Sequence, residues 1–175
     1  MASNPVQDLK TKLAVGARPN KYRIMLAAPV GPTDDSLLDV ICKGASIPGK
    51  TIGTIDIFNQ GRKLLIAGDA AFENSWSLTF WDTEDHSLRK SFDKWLTFID
   101  DKEKHQRGWK SHKDYTTEKA KVEQLSTINN SVKAIYEFRN MFPTNMSAID
   151  VADDSNDTLE EFTVDFAYSH WVRID

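Results

Sequence analysis

Four histidines, a single cysteine and a run of carboxylates near the end are the groups in this chain with chemistry to offer. A zinc site needs histidine or cysteine donors at short fixed spacings, and neither an HxxxH nor a CxxC pair occurs. His86 and His170 fall in a predicted helix and strand, His105 and His112 in a charged loop. Cys42 lacks a nucleophile's surroundings and reads as a small buried hydrophobe. With no second cysteine there is no intrachain disulfide, and reducing surroundings are the simplest reading. No serine lies in a GxSxG elbow, and no Walker or dinucleotide-binding glycine pattern is present. Asp153, Asp154, Asp157, Glu160 and Glu161 lack the alternation and the glycine of a calcium loop, so they read as solvated acidic surface. No catalytic residue, cofactor or metal is expected.

Trp76, Trp81, Trp95, Trp109 and Trp171 could stack on sugars or bases. Trp76 and Trp95 lie on predicted core stripes; Trp81 and Trp109 lie off them and are candidates for an interface. Charge is unevenly placed. Lys102, Lys104, Arg107, Lys110, Lys113, Lys119 and Lys121 stand against Glu103, Asp114 and Glu118. Residues 150–165 carry Asp150, Asp153, Asp154, Asp157, Glu160, Glu161 and Asp165 with no lysine or arginine. Two solvated loops are one reading. The other is head-to-tail docking of identical subunits, the basic loop of one copy on the acidic segment of the next.

Strands dominate the chain, with one helix inserted. In ENSWSLTFWD (73–82), with Phe72 before it, the large apolar residues Phe72, Trp76, Leu78 and Phe80 alternate with Glu73, Ser75, Ser77 and Thr79, the period of a half-buried strand. Asp82 or Thr83 then caps a helix over 84–100, with Glu84 and Asp85 in its first turn and Leu88, Phe92, Trp95, Leu96 and Ile99 on one stripe. Upstream, residues 1–21 form a polar arm broken by Pro5, Gly16 and Pro19. A strand follows at 22–29 and an extended segment at 38–48, ended by Pro48-Gly49. The β-branched run 50–67, turning at Asn59-Gln60-Gly61, predicts a projecting hairpin.

Downstream, 100–114 is a charged loop, 120–138 a second hairpin, 139–159 turn-rich, and 160–172 a final strand with Phe162, Val164, Phe166, Tyr168 and His170 on one face. The expected fold is mainly β: an antiparallel β-sandwich or barrel with one flanking α-helix, in one domain over residues 1–175.

Composition agrees, since 175 residues with 40% hydrophobic and 27% charged suit one ordinary core. A net charge of -4 argues against gripping a nucleic-acid backbone. No apolar leader and no window of eighteen apolar residues is present, so cytoplasmic synthesis without a membrane anchor is expected.

Four stretches, ARPNKYRI (17–24), the long run from CKGASIPGKTIGTIDIFNQGRKLLIAGD through ENSWSLTFWDTEDHSLRKSFDKW (42–95), YEFRNMFPTNMSAID (136–150) and EEFTVDFAYSHW (160–171), occur in an order that resembles the tail tube proteins of contractile-tailed bacteriophages. The resemblance spans nearly the whole chain. It implies six copies per ring and rings stacked into a hollow tube, whose joined inner sheets line a channel for the tape measure protein and DNA. DNA would pass without specific binding. Sheath protein, a baseplate or tube initiator and a tail terminator are the implied partners, in the tail of a virion whose parts are made in the host cytoplasm.

On that footing Asn59, Gln60, Gly61, Arg62 and Lys63 at the hairpin tip, and the N-terminal arm, are candidates for contacts between rings. Lys102, Lys104, Arg107 and Lys110 are candidates to meet Asp150, Asp153, Asp154 and Asp157 of another subunit. Ser75, Ser77 and Thr79 are candidates for the channel wall or for packing on a neighbour. The alternatives are a tube of a tailocin or type VI-like secretion machine, which shares this general fold, and a ligand-binding β-sandwich using Trp81 or Trp109.

Overall fold

Alternating large apolar and small polar residues make strands that can be buried on one face only, and the chain solves this by laying two such sheets against each other. The computed structural model describes residues 16–29, 42–100, 111–149, 151 and 158–174. The first sheet, here sheet A, runs in the order β1 (Tyr22–Met25), β6 (Ala120–Leu125), β7 (Val132–Arg139), β10 (His170–Ile174). Sheet B runs β2 (Cys42–Ala45), β5 (Ser75–Trp81), β9 (Glu161–Ala167), β8 (Phe142–Met146). Every pairing is antiparallel. A separate two-stranded ribbon is made by β3 (Lys50–Asn59) and β4 (Arg62–Phe72).

Ile24, Ala120, Val122 and Phe138 of sheet A meet Trp76, Leu78, Phe80, Phe162, Val164 and Phe166 of sheet B in one buried cluster. Trp76 stacks on Phe138 across the two sheets with centroids 4.3 Å apart. Helix α1 (Ser87–Ile99) brings Leu88, Phe92 and Trp95 into the same core. Phe92 lies 5.5 Å from Phe80, and Trp95 lies 6.2 Å from Phe166. Buried indoles need a partner for their N–H; Trp76 donates to the Ser46 carbonyl and Trp95 to the Tyr115 carbonyl, both at 2.8 Å. Cys42 is buried as expected.

Several boundaries differ from the sequence expectation. The helix begins at Ser87 rather than 84 because His86 sits at φ 50, a left-handed conformation that cannot continue upstream as helix. Asp82 accepts from the Thr83 amide and faces the His86 ring, so residues 83–86 form a turn. Phe72 ends β4 instead of opening β5, since Asn74 at φ 52 breaks the strand between them. The predicted final strand is two: β9 belongs to sheet B and β10 to sheet A, with Ser169 donating to the Arg139 carbonyl where the chain crosses over. His170 is therefore exposed rather than aligned with Phe166.

β8 lies inside the stretch read as turns. It is an edge strand, where Pro143 gives up a hydrogen bond that a central strand would need. Within the segment read as a charged loop, α2 (His112–Tyr115) forms a helical turn, with the Ser111 amide donating to the Asp114 carboxylate at 2.9 Å. Arm residues 1–15, residues 30–41, and Lys102, Lys104, His105, Arg107, Trp109, Lys110, Asp150, Asp153, Asp154 and Asp157 lie outside the described residues.

Candidate assembly surfaces

Paired residues in an antiparallel ladder share a face, so register assigns every ribbon side chain to a side. Ile55 pairs with Ile66 and Ile57 with Leu64, making one wholly apolar face that ends in the Asn59–Arg62 pair at the tip. The opposite face holds the pairs Thr54–Ala67, Asp56–Leu65 and Phe58–Lys63, with an Asp56–Lys63 ion pair at 2.7 Å. Gln60 and Gly61 both have positive φ, the requirement of a two-residue type I′ turn. The tip predicted from Asn59, Gln60, Gly61, Arg62 and Lys63 is thus a tight turn, but the strands run on to Phe72, longer than the expected end at 67.

Among the described residues, nothing covers either face of the ribbon. Ile55 is 54% exposed, Leu64 59% and Phe58 72%, and Ile57, Leu65 and Ile66 are exposed too. Isolated two-stranded hairpins are marginal in water, and a contiguous apolar surface of this kind marks a contact site. Two features hold the ribbon in place. Between Ile52 and Thr54 the register shifts, and Gly68 approaches Gly53 so closely that an added Cβ would stand 3.2 Å from the Gly53 carbonyl oxygen. At the root, Phe72 packs edge-on against Trp171 of β10 at 6.2 Å, Trp171 meets Tyr136 at 5.7 Å, and the Trp171 indole N–H donates to the Gly49 carbonyl at 3.2 Å.

The outer face of sheet B carries the other candidates. Ser75, Ser77 and Thr79 all point away from the core, as the alternation predicts. The Ser77 hydroxyl donates to Asp165 Oδ1 at 2.5 Å, Asn145 Nδ2 donates to Oδ2 at 3.0 Å, and Thr79 shares a 3.2 Å hydrogen bond with Thr163. These donors hold the Asp165 carboxyl below the usual carboxylate range, Ser77 contributing most. Lys43 pairs with Glu161 at 2.7 Å beside the exposed Trp81. Asp165 and Glu161, which belong to the acidic segment, are thus engaged within the chain.

Sequence reading missed the ribbon's apolar face as a surface, although the alternation of Ile55, Ile57, Leu64 and Ile66 carried the signal. It also missed one set of donors. Asp82, His86 and Glu160 bring ligand atoms within 4.8 Å of one another, an arrangement that could hold a cation but is separated too widely in sequence to form a motif. Among the described residues, grooves are lined by Ala17, Arg18, Tyr22, Ile47 and Gln124 (380 Å³), by Met25, Glu118, Lys121, Glu137 and Arg139 (510 Å³), and by Arg18, Ser126, Thr127 and Lys133 (330 Å³). No described helix is long and apolar enough to cross a membrane.

A family model described as phage tail tube protein matches residues 17–174. The tail tube protein gp19 of Enterobacteria phage T4 is 27% identical over 130 residues, covering 74% of this chain and 78% of that protein, and the gp19 of phage T6 matches to the same extent. Among solved structures, a chain of the anti-feeding prophage baseplate superposes with a TM-score of 0.62 at 13% identity over 88% of this chain and 92% of that one. A chain of an extracellular contractile injection system's sheath-tube complex in the extended state gives 0.59 at 12% identity, over 94% and 96%. At such identity these two establish likeness of fold alone.

Proposed function

The chain belongs to the phage tail tube protein family, the premise from which we propose that six copies close into a ring and that rings stack into the hollow inner tube of a contractile tail. A tail tube protein is a structural part of the virion. On this reading the protein works by assembly and shape, with no catalytic step. It is made in the host cytoplasm and built into the tail there. Its partners are other copies of itself, the sheath outside, a baseplate or tube initiator at one end and a terminator at the other, with the tape measure protein and then DNA inside.

The observation that carries this is the β3–β4 ribbon, whose apolar side chains are exposed on both faces in the single chain. Such an element gains its cover from a second copy, and we assign it to the contact between rings. Among the described residues β1 and β10 end one sheet and β2 and β8 end the other, and ring closure by joining sheet ends of neighbouring copies would remove open edges. The hydroxyl face of sheet B suits a channel wall. Ser75, Ser77, Thr79, Thr163 and Asp165 offer small polar groups and an anion, which do not retain phosphates as clustered cations would.

Sedimentation velocity over a range of concentrations tests this reading. Wild-type protein is expected to form large assemblies, whereas deletion of Asn59–Arg62 leaves a folded subunit that stops at rings or monomers. Long tubes from the deletion variant would refute the hairpin assignment.

A further inference from the structure

The proposed contact leaves unspecified which surface receives the ribbon. The apolar face, Ile55, Ile57, Leu64 and Ile66, ends at the tip in Arg62, since Arg62 alternates onto the same side as Leu64. Lys63, on the opposite face, is neutralised by Asp56, but Arg62 meets no acid among the described residues. A matching surface would therefore offer apolar side chains with a carboxylate beside them. The outer face of sheet B does not, because it is hydroxyl-lined and holds Trp81 alone among the exposed large hydrophobics.

The outer face of sheet A does, at its β10 edge. Val172 is 41% exposed and Ile174 40% exposed, and the ladder sets Ile135 beside Ile174 and Glu137 beside Val172. Glu137 accepts from Arg139 at 2.9 Å, and a carboxylate has lone pairs left for a second guanidinium. Resting on the assembly reading above, we propose that the apolar face of one copy's ribbon docks on the Ile135, Val172 and Ile174 patch of a copy in the adjoining ring, with Arg62 reaching Glu137.

β10 then works on both sides. Its Trp171 holds the root of its own chain's ribbon through Phe72 and Gly49, while Val172 and Ile174 receive the ribbon of the next copy. Each copy donates one patch and accepts on a different one, so the contact propagates instead of closing as a two-fold dimer.

Cysteine pairing reads this contact directly, because the native Cys42 is buried and out of the way. Ile57→Cys protein and Val172→Cys protein are oxidised separately and as a mixture, with wild-type sedimentation measured in parallel. The expected result is a covalent dimer in the mixture and none in either variant alone. A dimer in Ile57→Cys protein alone would mean ribbon-on-ribbon packing and overturn the proposal. Wild-type assembly with no cross-link in the mixture would overturn it while leaving the tube reading standing; a wild-type monomer at every concentration would overturn both. If a cysteine blocks assembly by itself, Arg62→Glu and Glu137→Arg serve instead. Each singly is expected to weaken assembly and both together to restore it, and failure of that restoration contradicts the docking.

Discussion

Ser77 and Asn145 both donate to one carboxylate, that of Asp165, and so stabilise its charged form. A carboxyl whose folded pKa is depressed contributes stability that is fully present above its unfolded value of about 3.9 and is lost as pH falls through the lower folded value. Ser77→Ala is therefore expected to cost about 1 kcal/mol at neutral pH, with the difference from wild type shrinking below about pH 4, as urea melts at the two pH values will show. Tyr168 gives the opposite sign. Its ring is buried and its hydroxyl makes no well-formed hydrogen bond among the described residues, with only the Asn74 backbone in weak reach, while burial and then the Glu73 charge push its pKa up. Removing a poorly satisfied buried hydroxyl relieves a desolvation cost, so Tyr168→Phe is expected to leave stability unchanged or raise it by about 1 kcal/mol in the same melts.

At the scale of elements, core and ribbon separate stability from assembly. Phe92→Ala removes the ring that α1 inserts between Phe80, Phe162 and Phe166, and is expected to cost about 3–5 kcal/mol in denaturant unfolding. Leu64→Asp, on the exposed ribbon, is expected to change subunit stability by no more than about 0.5 kcal/mol while abolishing tubes, seen as a normal melt with loss of the fast-sedimenting material. The core was legible because Trp76, Leu78 and Phe80, and Phe162, Val164 and Phe166, alternate with polar neighbours, and because Leu88, Phe92 and Trp95 keep a helical period. What escaped was set by tertiary context. The left-handed His86 overrides a run of good helix-starting acids, and the sheet change after Tyr168 breaks an alternation that continues unbroken on paper. β8 reads as loop because its proline is tolerable only at an edge, and edges are defined by partners elsewhere in the chain.

At the scale of the whole molecule, the proposed tube rests on the apolar ribbon contact, and the charged segments 102–121 and 150–165 are either solvated surface or a second contact between subunits. The two respond differently to salt. Exposed charges are screened within about 8 Å at physiological ionic strength, so raising salt is expected to shift assembled protein toward smaller species, as light scattering would report; indifference to salt would remove the charged docking and leave the ribbon as the main contact. The most direct test of the central claim is electron microscopy of the purified, concentrated protein at modest salt. Tubes of uniform width whose end views average to six-fold rings with an open centre are the predicted result. A dispersed monomer at every concentration, or solid fibres without a channel, would contradict it.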